Sequence, residues 1–200
     1  MMEIILASTN FHKIRELRDM FKSIPHLELL TLHQFPDYAP PEETGKTIRE
    51  NAILKAEHAA SHLNGWALAD DSGLFIPALN GLPGVHSARY AGSTATDKER
   101  CDQLLHEMAG YQSSEERTAH CTCCLAIANP SGVQKSVEGI CEGYIARESR
   151  GRNGSGYDPI FVKNDYEKTF GELDDPVRNR ISHRRRAFER LVAFLENLRD

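Results

Sequence analysis

The sequence predicts a mixed α/β fold, one elongated unit in which a β-hairpin makes a distinct lobe. Three observations carry this. Continuous apolar runs at 3–7 and Trp66–Ala69 read as strands covered on both faces. Helical spacing follows them, as at Ile14, Leu17, Met20 and Phe21. The two longest strand candidates, Arg117–Ala128 and Val133–Ile145, flank the turn Asn129-Pro130-Ser131-Gly132 and form an antiparallel hairpin.

Taken in order, Asn10 can cap the first helix. Leu27–Leu32 reads as a second strand. Gln34–Gly45 holds Pro36, Pro40, Pro41 and Gly45, so it is a loop, with Glu42-Glu43 near its end. A long helix follows over about Thr47–Leu63. Its buried stripe is Ile48, Ala52, Ala56, Ala59, Ala60 and Leu63, and Asn64-Gly65 ends it. The Trp66–Ala69 strand then leads into Asp70-Asp71-Ser72-Gly73, and Leu74–Leu79 comes next. A further helix spans about Thr96–Met108, capped by Thr96 or Asp97. Glu148–Tyr157 is a glycine-rich loop, Ile160–Val162 a short strand, and Ser182–Leu198 an amphipathic tail with Ala187, Leu191, Leu195 and Leu198 on one stripe.

Bulk properties narrow the functional classes. The chain has 200 residues, 40% hydrophobic and 26% charged, which suits a globule with a sizeable core. A formal net charge of -5 argues against broad nucleic-acid binding, though not against a small anion held by local donors. No apolar run approaches the roughly 20 residues that span a bilayer, so no membrane partner is expected. The opening Met1–Ala7 lacks the basic flank and length of a signal peptide, and the expected location is the cytoplasm. Five cysteines without a secretion signal do not suggest a disulfide framework. Cys121, Cys123 and Cys124 lie in an apolar run with no second ligand pair, and read as packed thiols rather than a zinc site.

Five segments could carry chemistry. Ser8-Thr9-Asn10-Phe11-His12-Lys13 joins a strand to a helix N-terminus, where free N–H groups and the helix dipole suit a phosphate. Lys13 can add a full charge one turn in. Taken alone, a capped helix with a solvated lysine explains this segment better. Asp70-Asp71-Ser72 follows a buried strand, where open α/β sheets bind ligands. Side chains alternate along an extended segment, so one aspartate faces the site and the other supports it. An ordinary turn explains these residues equally well. Glu43, or Glu42 beside it, could complete a Mg²⁺ site with Asp71, but acidic residues ahead of a helix often only complement its dipole. Gly154–Pro159 offers a flexible backbone and the Tyr157 ring, or is a surface turn. Arg178 with Ser182-His183-Arg184-Arg185-Arg186 is a basic cluster, or a solvated charge run.

Together these segments resemble the noncanonical purine nucleoside triphosphate pyrophosphatases, the inosine triphosphate pyrophosphatase or HAM1-like family. The resemblance rests on Ala7–Lys13, Glu43-Thr44-Gly45-Lys46-Thr47, Glu50–Ala56, Ala69–Leu74, Gly81–Tyr90, Gly156-Tyr157-Asp158-Pro159 and Ser182-His183-Arg184, in the family's order along essentially the whole chain. It implies a single domain over residues 1–200, with an elongated mixed β-sheet flanked by helices and two lobes around a central substrate cleft. It also implies a homodimer. The implied reaction is Mg²⁺-dependent hydrolysis of ITP, dITP and XTP to the monophosphate and pyrophosphate, which keeps deaminated bases out of nucleic acid.

The resemblance further implies residue roles. Asp71 is the proton acceptor and a metal ligand, and Glu43 the second metal ligand. Ser8, Thr9, Asn10, Phe11, His12 and Lys13 hold the triphosphate. Lys55, Ser72, Ser155, Gly156, Tyr157, Asp158, Arg178, His183 and Arg184 contact substrate. Tyr157 is expected to stack on the base and Arg184 to donate to it. Arg178 departs from the family's usual lysine five positions before the histidine, which brings a planar fork in place of a point charge. Two other functions fit the residues: a pyrophosphatase of broader or pyrimidine triphosphates, and a non-catalytic nucleotide-binding protein.

Overall fold

The apolar N-terminal run forms β1 (Met2–Leu6). It is buried because β2 (Leu27–Thr31) and β3 (Trp66–Phe75) pair with it in parallel on either side, with Ile4 opposite both Leu29 and Trp66. This structure, a computed structural model, describes residues 1–199. The strand order is β2-β1-β3-β4-β5-β6, where β4 is Thr118–Asn129, β5 Gly132–Ile145 and β6 Phe161–Lys163. A two-residue link joins β4 to β5, which only antiparallel neighbours allow, and β6 is antiparallel to β5. The sheet is therefore mixed, as predicted.

Helix ends follow local capping chemistry. In α1 (Phe11–Phe21), the Asn10 side chain accepts from the His12 and Lys13 amides. In α2 (Ile48–Leu63), the Thr47 hydroxyl accepts from the Glu50 amide, and Asn64 closes the helix at a left-handed φ of 49°. Its alanine stripe is fully buried at Ala52, Ala56, Ala59 and Ala60, whereas Leu63 is half-buried. Thr96 and Glu99 form a capping box ahead of α3 (Asp97–Glu107). The tail is helical as α5 (His183–Glu196), with Ala187, Leu191, Leu195 and Leu198 buried. All five cysteines are free and buried. No described helix is long and apolar enough to cross a membrane.

The chain divides into two compact units. The first holds Met1–Asp71, Cys123–Gly139 and the chain from Arg184 on; the second holds Ser72–Thr122 and Ile140–His183. Ile4, Leu6, Leu17, Leu68, Leu125, Phe188 and Leu191 build the first core. The second is built by Leu74, Leu104, Met108, Ile145, Phe161 and Phe170. Buried Arg117 ties the second unit together by donating to the carbonyls of Ile145, Met108 and Ala146, each at 2.7 Å.

Three expectations need correction. The hairpin is not a lobe of its own, because β4 and β5 are long enough to supply both units. The strand at Trp66 does not stop at Ala69 but runs on through Asp70, Asp71 and Ser72 to Phe75. A seven-residue helix, α4 (Asp175–Ile181), precedes α5 where no element is predicted. Asp174 and Pro176 mark its start, but it is too short to display an apolar stripe.

Candidate functional site

The first unit gathers a dense charge cluster where α1, α2, α5 and β3 contribute one or two side chains each. Ser8–Asn10 link β1 to α1. The Asn10 amide donates to Ser8 Oγ at 3.2 Å, and Asn10 Oδ1 accepts from His12 and Lys13 at 3.0 and 3.2 Å. The cap thus occupies two of the amides expected to hold phosphate. Thr9 and Phe11 are exposed, and His12 is half-buried, with Nδ1 lacking a partner among the described residues. Lys13 turns inward. Its Nζ ion-pairs with the Asp70 carboxylate and also lies 3.3 Å from the Asp70 carbonyl.

Asp70 and Asp71 are adjacent in an extended strand and take different partners, as alternation requires. Asp70 is buried against Lys13, against Arg184 Nε at 2.7 Å, and against the Cys123 thiol, which donates at 3.1 Å. Burial pushes the Asp70 carboxyl up, but Arg184 and Lys13 outweigh it and hold the group well below the usual carboxylate range. Asp71 meets Lys55 Nζ at 2.8 Å. Its burial outweighs the attraction of Lys55 and Lys13, so its pKa is raised. The pKa values of two neighbouring carboxyls are thereby driven apart, Asp70 downward and Asp71 upward.

Lys55 is the hub of the second half of the cluster. Its ammonium donates to Glu43 at 2.8 Å, Asp71 at 2.8 Å and the Asp70 carbonyl at 3.0 Å. Burial lowers its pKa, but the two carboxylates outweigh that and raise it, so it stays charged. Glu43 is half-buried whereas Glu42 is exposed, which separates the two candidates for second carboxylate. Asn51, not singled out as a site residue from sequence, fixes the loop that carries Glu43. It is fully buried in α2, and its Oδ1 accepts from the Gly45 amide at 2.7 Å. A Cβ on Gly45 would lie 2.5 Å from that oxygen, so only glycine allows this approach. The Lys46 amide adds a bond to Glu50 Oε2 at 2.6 Å. A polar residue on the buried face of a helix was the available signal for Asn51.

Arg184 departs from its expected role. Its guanidinium is buried, with Nε on Asp70 and Nη1 at 2.5 Å from Glu16, another residue not singled out from sequence. Those donors are committed inside the first unit and serve to hold Asp70. The physical reason is the cost of leaving two buried carboxylates without a cation.

The remaining predicted residues lie in the second unit. Gly154 sits at φ 79°, and a side chain there would strike Asp158, so glycine is required. Asp158 accepts from the Ser155 amide at 2.9 Å, and the Gly156 amide donates to Asp97 at 2.6 Å. Tyr157 does not display its ring as a stacking surface. The ring is buried in the second core and the hydroxyl donates to the Ser87 carbonyl at 2.9 Å. Arg178 is also buried, ion-paired with Asp158 at 3.7 Å and Asp175 at 2.9 Å. Ser72 and His183 are half-buried, His183 opening α5.

The donor set fits a hard divalent cation. Glu43 and Asp71 converge on one ammonium, so a small ion could engage both. Magnesium takes one or two carboxylates and completes its shell with phosphate and water. No group of three or more metal-binding side chains forms among the described residues, so the two carboxylates suit this mode rather than an all-protein cage. Lys13, Lys55 and Arg184 face Glu16, Glu43, Asp70 and Asp71, leaving the seven groups with a formal charge of about -1 at neutral pH. A polyanion would approach far more readily with a cation in place.

Residues 4–194 match the model of the Ham1 family. The chain is 63% identical over 199 residues to a dITP/XTP pyrophosphatase of Protochlamydia amoebophila, covering 100% of both chains. It is 44% identical over 197 residues to one of Chlamydia caviae, covering 98% of this chain and 96% of that one. A solved HAM1 protein from Coxiella burnetii superposes with a TM-score of 0.89 at 43% identity, over 99% of this chain and 100% of that one. The match runs through both units and every segment that carries the charge cluster, and the chain belongs to the Ham1 family.

Proposed function

We propose that this chain hydrolyses dITP, ITP and XTP to the nucleoside monophosphate and pyrophosphate. The relatives' activity supports the reading, and one observation carries it: Glu43 and Asp71 converge on Lys55, beside a second cation, Lys13. Water attacks the α-phosphorus, the bond to the bridging oxygen breaks, and pyrophosphate leaves with the electron pair. Asp71, buried and with a raised pKa, takes the proton from that water. Lys13 and Lys55 supply fixed positive charge where the leaving group develops its own. Glu43 and Asp71 would hold Mg²⁺, which neutralises phosphate oxygens when bound.

Asn10, Ser8, Thr9, Phe11 and His12 are assigned to the triphosphate, with the His12 Nδ1 a polar atom that a phosphate would satisfy. Base recognition is assigned to the loop Ser155–Asp158 and to His183, with Ser72 and Arg178 as further substrate contacts. A site of buried donors accepts a 6-oxopurine and rejects a 6-aminopurine by about 10⁴-fold. A homodimer completes the proposal, supported by the family resemblance.

The test is pyrophosphate release from dITP, XTP, dATP, dGTP and dTTP, with Mg²⁺ and with chelator. Release from dITP and XTP alone, lost with chelator, is expected. Equal rates on all five remove the base-selective reading, and no release from any removes the enzyme.

A further inference from the structure

In the second unit, α3 holds the turn Ser155–Asp158 by its most adaptable residue. Gly154 and Gly156 sit at left-handed φ values of 79° and 61°, with open space where a Gly156 side chain would lie. Glycines so placed leave a backbone free to turn. Two side chains of α3 remove that freedom. Asp97 Oδ2 accepts from the Gly156 amide at 2.6 Å, and the Cys101 thiol donates to the Gly156 carbonyl at 3.3 Å. The bonds grip the peptides on either side of one glycine and so fix both its φ and its ψ. Asp97 and Cys101 are four residues apart and share one helix face. Thr96 and Glu99 supply the cap of α3, which leaves Asp97 Oδ2 to the turn. The other Asp97 oxygen ion-pairs with Arg100, which also donates to the Ala88 and Ala95 carbonyls at 2.9 and 2.6 Å. The Tyr157 hydroxyl bonds to the Ser87 carbonyl, so the turn reaches the segment Ser87-Ala88 by two routes.

We propose that Asp97 and Cys101 are positioning residues for substrate selection, acting through Gly156 on the turn that meets the base. This rests on the assignment of Ser155–Asp158 to the base. A trans peptide carries its C=O and N–H on opposite sides, so holding the Gly156 carbonyl against Cys101 turns the Tyr157 N–H away from α3. The polar groups of that peptide take one direction instead of two. Selection between an oxygen and an amino group at the purine 6-position needs donors that cannot swing to suit either. A loop supplies such precision only when further bonds hold it, and a displacement of about 1 Å can cost about 10²-fold in rate. Burial, together with Asp97, Asp102 and Asp158, pushes the Cys101 thiol pKa up to about 12, so the thiol keeps the proton it donates.

The experiment compares Asp97→Ala, Asp97→Asn and Cys101→Ala with the unaltered chain and with Asp102→Ala, a control whose carboxylate pairs with exposed Lys98 on the same helix. Turnover of dITP and dATP with Mg²⁺ is measured beside amide exchange at Gly156 in the substrate-free protein. Asp97→Ala should speed Gly156 exchange and raise the KM for dITP by about tenfold, with kcat changed less. It should cut the preference for dITP over dATP by a similar factor. Asp97→Asn keeps an acceptor for the amide and should recover most of the loss. Cys101→Ala should move all three readouts the same way by a smaller factor, because a thiol is a weak donor. Melting curves show whether each variant is folded, and Cys101→Ala decides by the same readouts if Asp97→Ala is not. Exchange needs no turnover, so failure of the clamp is separable from failure of the proposed reaction. Unchanged Gly156 exchange in Asp97→Ala, or a folded Asp97→Ala that keeps both the dITP KM and the preference over dATP, would overturn the proposal. Equal losses in Asp102→Ala would do the same.

Discussion

Asp70 and Asp71 show how one peptide unit separates two duties. Asp70 is locked by Arg184 and Lys13, while Asp71 ion-pairs with Lys55 and has its pKa raised by burial. Asp71→Asn should lower turnover by about 10²–10⁴-fold, the worth of a positioned base, with an unchanged melting curve. Asp70→Asn should do the reverse, costing stability first. Removing one partner from a buried pair costs about 3–5 kcal/mol. The Asp70 pKa is depressed on folding, so its contribution is fully present above the ordinary carboxylate pKa and declines as pH falls through the depressed value. Denaturant titrations should therefore show a large deficit for Asp70→Asn at neutral pH that narrows below about pH 4. A deficit constant with pH would mean that Asp70 is not held ionised.

Among elements, α2 is the one on which the cluster depends most. It supplies Lys55 as the hub and Asn51 as the dock for the Glu43 loop. Asn51→Ala should raise the Mg²⁺ concentration needed for half-maximal rate by roughly tenfold, since an outer partner of a metal ligand is typically worth that much. A loss of stability with unchanged Mg²⁺ dependence would make Asn51 merely structural. Both ends of α2 are legible in sequence because Thr47 and Asn64 act through bonds within one turn. The extension of β3 through Asp70–Phe75 is not. Asp-Asp-Ser-Gly has turn chemistry locally, and its stabilising partners Lys13 and Arg184 lie 57 and 114 positions away. The same distance hides the fate of Arg184, whose basic neighbours Arg185 and Arg186 are at least partly exposed while it is buried.

For the whole molecule, each unit has its own core, and the predicted site residues divide between the units with boundaries at Asp71/Ser72 and His183/Arg184. The motifs that carry the resemblance were readable because they are short and contiguous. What they could not reveal is which side chains face inward, since Tyr157 and Arg178 are committed to packing and ion pairs only the folded second unit creates. The reaction class is the most exposed part of the account, because cleavage at the α–β bond, not the β–γ bond, distinguishes it from other triphosphate hydrolysis. Product analysis after turnover of dITP with Mg²⁺ tests it directly. The account predicts dIMP and pyrophosphate in equal amounts, with no orthophosphate and no dIDP; dIDP with orthophosphate would contradict it.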